Sequence, residues 1–290
     1  MKKIGIDIGG TKLRIAIFDE EYNMIHRFKT ENDPNLAVEE NLAKLVNFIN
    51  QYDYEFAGIG LGCPGPLNTR TGKILQTPNL PAWWNFPIVD YIETNTKIKT
   101  ILENDANVAG LAEARLGAGK PYNSIYYITI STGIGGAYIQ NKELVQGSNS
   151  AAGEIANLII NDESEARAGL SPGVINEICS GSALARKGKE IYGRDITSKE
   201  IFELLHNGCS KAKALCDTVV EGIATAINNI TCIVDPDAIV LGGSIAIHNP
   251  DLVERITNRA KEHVWHPDYL KVLPARFEDD AGLYGAALLV

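Results

Sequence analysis

Residues 103–112, ENDANVAGLA, align without a gap on residues 278–287, EDDAGLYGAA. Glu103, Asp105, Ala106, Gly110 and Ala112 recur as Glu278, Asp280, Ala281, Gly285 and Ala287. Two further echoes keep the same order along the chain. GIGLG (58–62) is answered by AIVLGG (238–243), and DIGGTKLRIAIF from Asp7 by TGIGGAYIQNKEL from Thr132. Three matches in one order point to an internal duplication, and a duplicated chain must fold into two copies of one topology.

Each half reads as a three-stranded meander, a helix, a strand, a helix, a strand and a closing helix. In the first half the meander covers about 3–29, and LAVEENLAKLVNFINQY (37–53) carries apolar residues at helical spacing. The strands AGIGLG and TKIKTILE follow, then a helix after Asp105. In the second half SIYYITIS (124–131) opens the meander and a long helix spans roughly 211–233. Strand DAIVLGG, a helix near 250–264, strand YLKVLPA and a helix over 281–290 complete the copy. TSKE (197–200) has the form of a capping box that opens an inserted helix. The expectation is an α/β protein with an N-terminal domain over 1–115, joined by the closing helix 279–290. The C-terminal domain covers 116–278, with a helical insertion near 170–210. Two such domains facing each other would put their glycine turns on opposite sides of one cleft, a preferred place for a ligand.

The 290 residues suffice for two such domains. With 45% apolar and 22% charged residues the chain is an ordinary globule, and its net charge of −9 argues against nucleic-acid or acidic-membrane partners. No apolar run approaches the roughly 20 residues of a membrane helix, and no signal peptide is expected ahead of the first strand. The five cysteines (63, 179, 209, 216, 232) have neither zinc-finger nor redox spacing, so reduced thiols and a cytoplasmic location are expected.

Gly9 and Gly10 interrupt two β-branched runs, with Asp7 just ahead of them. A Walker loop needs Lys-Ser or Lys-Thr opening a helix, whereas Lys12 is followed by Leu13 and a second strand. The turn is either an ordinary hairpin or a backbone cradle for phosphate oxygens. At ENDAN, Asp105 falls at a strand end and the first helical position. Asp favours helix N-caps in any case, a role expected of Asp280 alone and of Asp105 together with chemistry.

DIGGTK (7–12), GCPGP (62–66), PNLPAW (78–83), LENDANVAGLAEA (102–114), STGIGGAYI (131–139), AAGEIANL (151–158) and IVLGGSI (239–245) follow one another along the chain. In this set and order the sequence resembles the ROK family of repressors and sugar kinases. That resemblance implies the duplicated actin-like (ribonuclease H-like) ATPase fold, with two domains around a cleft. It also implies ATP and Mg²⁺ as the cofactors, a small-molecule sugar as the partner, and a homodimer; the net charge of −9 is what argues against a nucleic-acid or membrane partner. Backbone groups at Gly9, Gly10, Thr11 and Lys12 and at Thr132, Gly133, Gly135 and Gly136 would hold phosphates. Gly242 and Gly243 would lie against the adenosine, and Asp7 would face Mg²⁺ through water. Asp105 would be the catalytic base that accepts the sugar hydroxyl proton. Gly65, Asn79, Asn104, Asp105 and Glu154 would line the sugar pocket, where Trp83 and Trp84 are candidates for either stacking or core packing. The lone G-x-G-x-x-G at Gly60–Gly65 is not expected to bind a dinucleotide, since no helix opens after it.

The chain departs from the family at its zinc site. Asn157 stands where most members have His, and residues 161–181 have no cysteine before Cys179. Zinc needs three or four nitrogen or sulfur ligands, so none is expected. Asn157 would then take over the sugar contact of the family His, and either Asn176 or Glu177 that of the family glutamate. A zinc-free pattern with Asn for His is similar to some N-acetylmannosamine kinases. Glucokinase and fructokinase are the alternatives, and a sugar-sensing regulator is a further one. The repressors carry a DNA-binding segment ahead of the first hairpin, whereas this chain reaches Asp7 at once.

Overall fold

The computed structural model describes residues 1–77, 80–162 and 171–290. The chain forms two compact units. The first comprises Met1–Ala112, Ser148–Ser150 and Asp280–Val290, and the second Glu113–Gly147 and Ala151–Asp279.

In the first unit β1 (Lys2–Ile8), β2 (Lys12–Phe18) and β3 (Met24–Glu31) form the meander, followed by α1 (Val38–Ile49) and β4 (Phe56–Cys63). A small hairpin, β5 (Leu67–Asn68) and β6 (Lys73–Ile74), precedes a 3-10 turn at Pro81–Trp83 and α2 (Ile88–Thr96). Then come β7 (Thr100–Asn104) and α3 (Asp105–Arg115), which runs into the second unit. The sheet order is β3-β2-β1-β4-β7, with β1, β4 and β7 parallel. The central strands β1 and β4 are buried runs, while β3 at the edge alternates half-buried with exposed residues. That contrast is expected of covered parallel strands against a solvated antiparallel edge.

The second unit repeats the plan. Here β8 (Ser124–Ile130), β9 (Ile134–Gln140) and β10 (Glu143–Leu144) form the meander. Helices α4 (Ile175–Cys179), α5 (Gly181–Tyr192), α6 (Ser198–His206) and α7 (Ser210–Val234) precede β11 (Ala238–Gly242). Then α8 (Ser244–His248), α9 (Pro250–His263) and β12 (Val272–Pro274) follow. The sheet order β10-β9-β8-β11-β12 matches that of the first unit strand for strand. The capping box is present at α6, where Thr197 and Glu200 bond each other's backbone N–H.

Helix α10 (Ala281–Ala287) belongs to the first unit. It lies on β1 and β4 at backbone distance, because glycines remove the side chains between them. A Cβ on Gly5 would overlap the Leu283 carbonyl, one on Gly60 the Ala286 carbonyl, and one on Gly285 the Val108 carbonyl. The Gly60–Gly65 motif is therefore a packing device in its first half. Asp280 does not cap α10, contrary to expectation. Its backbone is already helical (φ −94°, ψ −2°), and its carboxylate pairs with Arg27 of β3 at 3.1 Å.

Helix α2 and a shortened β7 replace the long expected strand TKIKTILE. Lys97 adopts a left-handed C-cap (φ 62°) and returns its N–H to the Glu93 carbonyl, so Thr96 ends a helix and the strand starts at Thr100. Fully buried Glu113, the first residue of the second unit, gathers three amides of that unit. Its Oε1 accepts the N–H groups of Arg276 (2.8 Å) and Phe277 (2.9 Å), and Oε2 that of Ala118 (2.9 Å).

Candidate active site

In the first unit the parallel register sets Asp7 beside Gly62, Gly62 beside Glu103 and Cys63 beside Asn104. These residues end β1, β4 and β7 at one edge, where open α/β sheets bind ligands. Asp7 is 7% exposed, pairs with Arg14 directly opposite on β2, and abuts Gly282 of α10. The buried Cys63 thiol lies within the field of this edge. Burial pushes its pKa well up, and the charges of Asp105 and then Asp7 add to that.

Asn104 is the N-cap of α3, a role the sequence reading gave to Asp105. Its Oδ1 accepts the N–H groups of Ala106 (2.9 Å) and Asn107 (3.4 Å). Asp105, half-buried, accepts the same Ala106 N–H at 2.8 Å from the first helical position. Buried Glu103 braces the pair by accepting from Asn104 N–H (2.8 Å) and Asn107 Nδ2 (2.9 Å). The loop leaving β4 leans on this corner, since a Cβ on Gly65 would stand 3.2 Å from Asn104 Nδ2. Thr77 fixes that loop by donating its hydroxyl toward the Pro64 (3.0 Å) and Gly65 carbonyls. The Thr77 carbonyl in turn accepts Trp84 Nε1 at 2.8 Å. Trp84 is 47% exposed and remains a candidate sugar face, while Trp83 (3%) is core. Asn79 lies outside the described residues.

The first glycine turn is Gly9–Lys12, exposed from Gly10 onward. Gly9 N–H is spent closing the turn on the Lys12 carbonyl (2.8 Å), so the outward amides of the tip begin at Gly10. In the second unit the turn is one residue shorter, with Ile130 and Ile134 paired across Ser131–Gly133. Thr132 and Gly133 are exposed. Gly135 and Gly136 are instead buried inside β9, where Gly136 makes room for the Gly153 carbonyl. Amides of the α5 N-terminus hold this turn, Gly181 N–H reaching the Ser131 carbonyl (2.8 Å) and Ser182 N–H the Thr132 carbonyl (3.1 Å).

Asn176 and Glu177 are both engaged in the second unit. Asn176 Oδ1 accepts Ile134 N–H at 3.0 Å, which ties α4 to the glycine turn, and Glu177 pairs with Arg186 at 3.0 Å. The Glu154 loop is held on the sheet by Tyr126, whose hydroxyl donates to the Gly153 carbonyl at 2.7 Å. Desolvation raises the Glu154 carboxyl from its ordinary value, against the pull of the Ala156 and Ile155 amides. Exposed Asn157 is three residues on, and Ala156 accepts Asn176 N–H at 3.2 Å, which links the two candidate segments. At the end of β11, Gly242 lies under the Tyr127 hydroxyl, and Gly243 (φ +85°) turns the chain against Thr129 and Ile130 into α8.

Among the described residues no group of three His, Cys, Asp or Glu is placed to hold a metal ion. A hydrated Mg²⁺ carried by a polyphosphate takes few protein carboxylates, and at this edge Asp7 is the carboxylate that would face such an ion through water. No helix of the described residues is long and apolar enough to cross a membrane.

Two units with one sheet order, each opened by a glycine hairpin, have the duplicated architecture of the actin-like ATPases. The chain belongs to the ROK family, whose model matches residues 3–290. An N-acetyl-D-glucosamine kinase of Haemophilus influenzae is 31% identical to it, over 98% of both chains. A Listeria monocytogenes protein proposed to be an N-acetylmannosamine kinase superposes with a TM-score of 0.86 at 28% identity, over 99% of this chain and 98% of that one. A ROK glucokinase of Streptomyces griseus, solved with glucose and AMPPNP, gives a TM-score of 0.84 at 25% identity, over 100% and 99%.

Proposed function

We propose that the chain is an ATP-dependent sugar kinase that transfers the γ-phosphoryl group to the 6-hydroxyl of a hexose or N-acylhexosamine, with N-acetylmannosamine as the substrate. The observation that carries the reaction is the meeting of Asp7, Asn104 and Asp105 at one sheet edge of the first unit, beside the exposed turn Gly9–Lys12. Asp105 accepts the proton of the attacking hydroxyl while that oxygen bonds to the γ-phosphorus and ADP leaves. The α3 N-terminus favours its carboxylate form, and Asn104 and Glu103 fix its direction. Mg²⁺ bound to the phosphates supplies charge neutralisation, and Asp7 is the carboxylate that would hold it through water. The turn at Thr132–Gly133 offers the second unit's amides to the nucleotide, with Gly242 and Gly243 beside the base. Gly65, Asn79, Asn104, Glu154 and Asn157 are the sugar ligands of this reading, with Trp84 as a stacking surface.

Asn157 in place of the family histidine, and the similarity to the Listeria protein, favour N-acetylmannosamine. Glucose is the second reading, favoured by the likeness to the Streptomyces glucokinase. ADP release with Mg-ATP against N-acetylmannosamine, N-acetylglucosamine, glucose, fructose and mannose separates them. The expected result is the highest kcat/KM for N-acetylmannosamine. A preference for glucose replaces the substrate, and no turnover with any sugar overturns the kinase reading.

A further inference from the structure

The first glycine turn is not held by its own strands alone. Asn32, just past the end of β3 and 5% exposed, reaches it twice. Its backbone N–H donates to the Thr11 carbonyl at 3.0 Å, and its side-chain Nδ2 donates to the Gly9 carbonyl at 2.9 Å. We propose that Asn32 is a positioning residue for the nucleotide phosphates, one that turns the carbonyls of the Gly9–Lys12 tip inward so that its amides face the phosphate oxygens. The inference rests on the kinase reading above.

The physical reason lies in the peptide plane. In a trans peptide the C=O and the following N–H point in opposite directions. Tying down the Gly9 carbonyl therefore aims Gly10 N–H away from Asn32. A glycine pair is the place where such a plane flips most easily, and a flipped plane would present a carbonyl oxygen to a phosphate oxygen. The second unit meets the same requirement with different parts. There the carbonyls of Ser131 and Thr132 are taken by the amides of Gly181 and Ser182. Both exposed turns thus have two carbonyls drawn back by donors from outside the hairpin, one by the side chain and backbone amide of Asn32, the other by a helix N-terminus.

The test uses the full-length protein with Asn32→Ala and Asn32→Ser, and measures binding of ATP, ADP and adenosine by calorimetry beside steady-state kinetics. The expected result is a rise of up to about ten-fold in Kd and KM for ATP, the scale of one lost anchoring hydrogen bond. Adenosine affinity and the sugar KM stay at the wild-type value, because neither needs the phosphate cradle. A merely structural role for Asn32 weakens adenosine, ATP and sugar together, and that result overturns the proposal. Unchanged ATP binding in folded Asn32→Ala protein overturns it while leaving the kinase reading intact. Wild-type protein that binds no nucleotide removes both.

Discussion

Asn104 and Asp105 accept the same backbone hydrogen, Ala106 N–H, at 2.9 and 2.8 Å. The shared donor means that the helix end keeps a cap when the aspartate is altered, so chemistry and stability can be separated at adjacent positions. Asp105→Asn is expected to lower kcat about a thousand-fold, within the range for loss of a general base. The sugar KM and the melting temperature should stay near wild type. Substantial turnover by the pure variant would remove Asp105 from the reaction.

Asn104→Ala reverses the pattern. It removes the true N-cap of α3 and is expected to lower stability by about 1 kcal/mol, while sugar affinity falls as the Gly65 corner loosens. Urea unfolding and sugar titration read the two effects. Unaltered stability would mean that Asp105 alone suffices as the cap.

Gly60→Ala tests the approach of α10 to the sheet. The new methyl would meet the Ala286 carbonyl, which is backbone and has no rotamer to yield. A loss of about 3 kcal/mol or more is expected, read by chemical unfolding or, at the extreme, as insoluble protein. A variant of wild-type stability would show that the helix can retreat from β4.

Glu113→Ala strands three buried amide donors, those of Ala118, Arg276 and Phe277, and is expected to destabilise by about 3 kcal/mol. Glu113→Gln keeps an oxygen for one part of the set and should fall between the two. Equal stability of the alanine and glutamine variants would argue against the three-amide role.

Glu154 makes a pH-dependent prediction. Its carboxyl is raised above the ordinary value of 4.5, with desolvation the main cause. The native state then holds the proton longer than the unfolded chain, so stability falls as pH rises from about 4.5 through the native pKa. Glu154→Gln lacks this loss. It should gain on wild type as pH rises above about 4.5, while its sugar KM rises. The side chain keeps surface open to solvent, so the gain is small. A stability difference that does not change with pH would contradict the sign.

The duplication made most of the fold legible, because two imperfect copies of a pattern reinforce each other where one is ambiguous. The meanders, the long helix near 211–233 and the strand ends at Asp7 and Asn104 were all readable in this way. The repeat plan calls for a helix between β4 and β7, but α2 could not be given residues, because IVDYIETNT has only Ile88 and Ile92 buried and its stop is a left-handed Lys97 rather than a glycine. Asp280 was misread because the repeat aligns it with Asp105, while its actual partner, Arg27, is 253 residues away. Asn32 gave no local signal at all. Its partners are set by the pairing of β2 with β3, and a buried asparagine after a strand reads as an ordinary loop residue.

The placement of α10 has a consequence for how the protein is made. Its residues cover β1 and β4, which are synthesised more than 200 residues earlier. On the ribosome the second unit's sheet can be complete while the first is still bare on one face, so the half that begins first finishes last. Until residue 287 emerges, the glycine-lined strip on β1 and β4 is an open seat shaped for one short helix. Chaperone engagement during synthesis should therefore peak at the N-terminal half, and a supplied 281–290 peptide should occupy that seat in trans on chains truncated before Ala281.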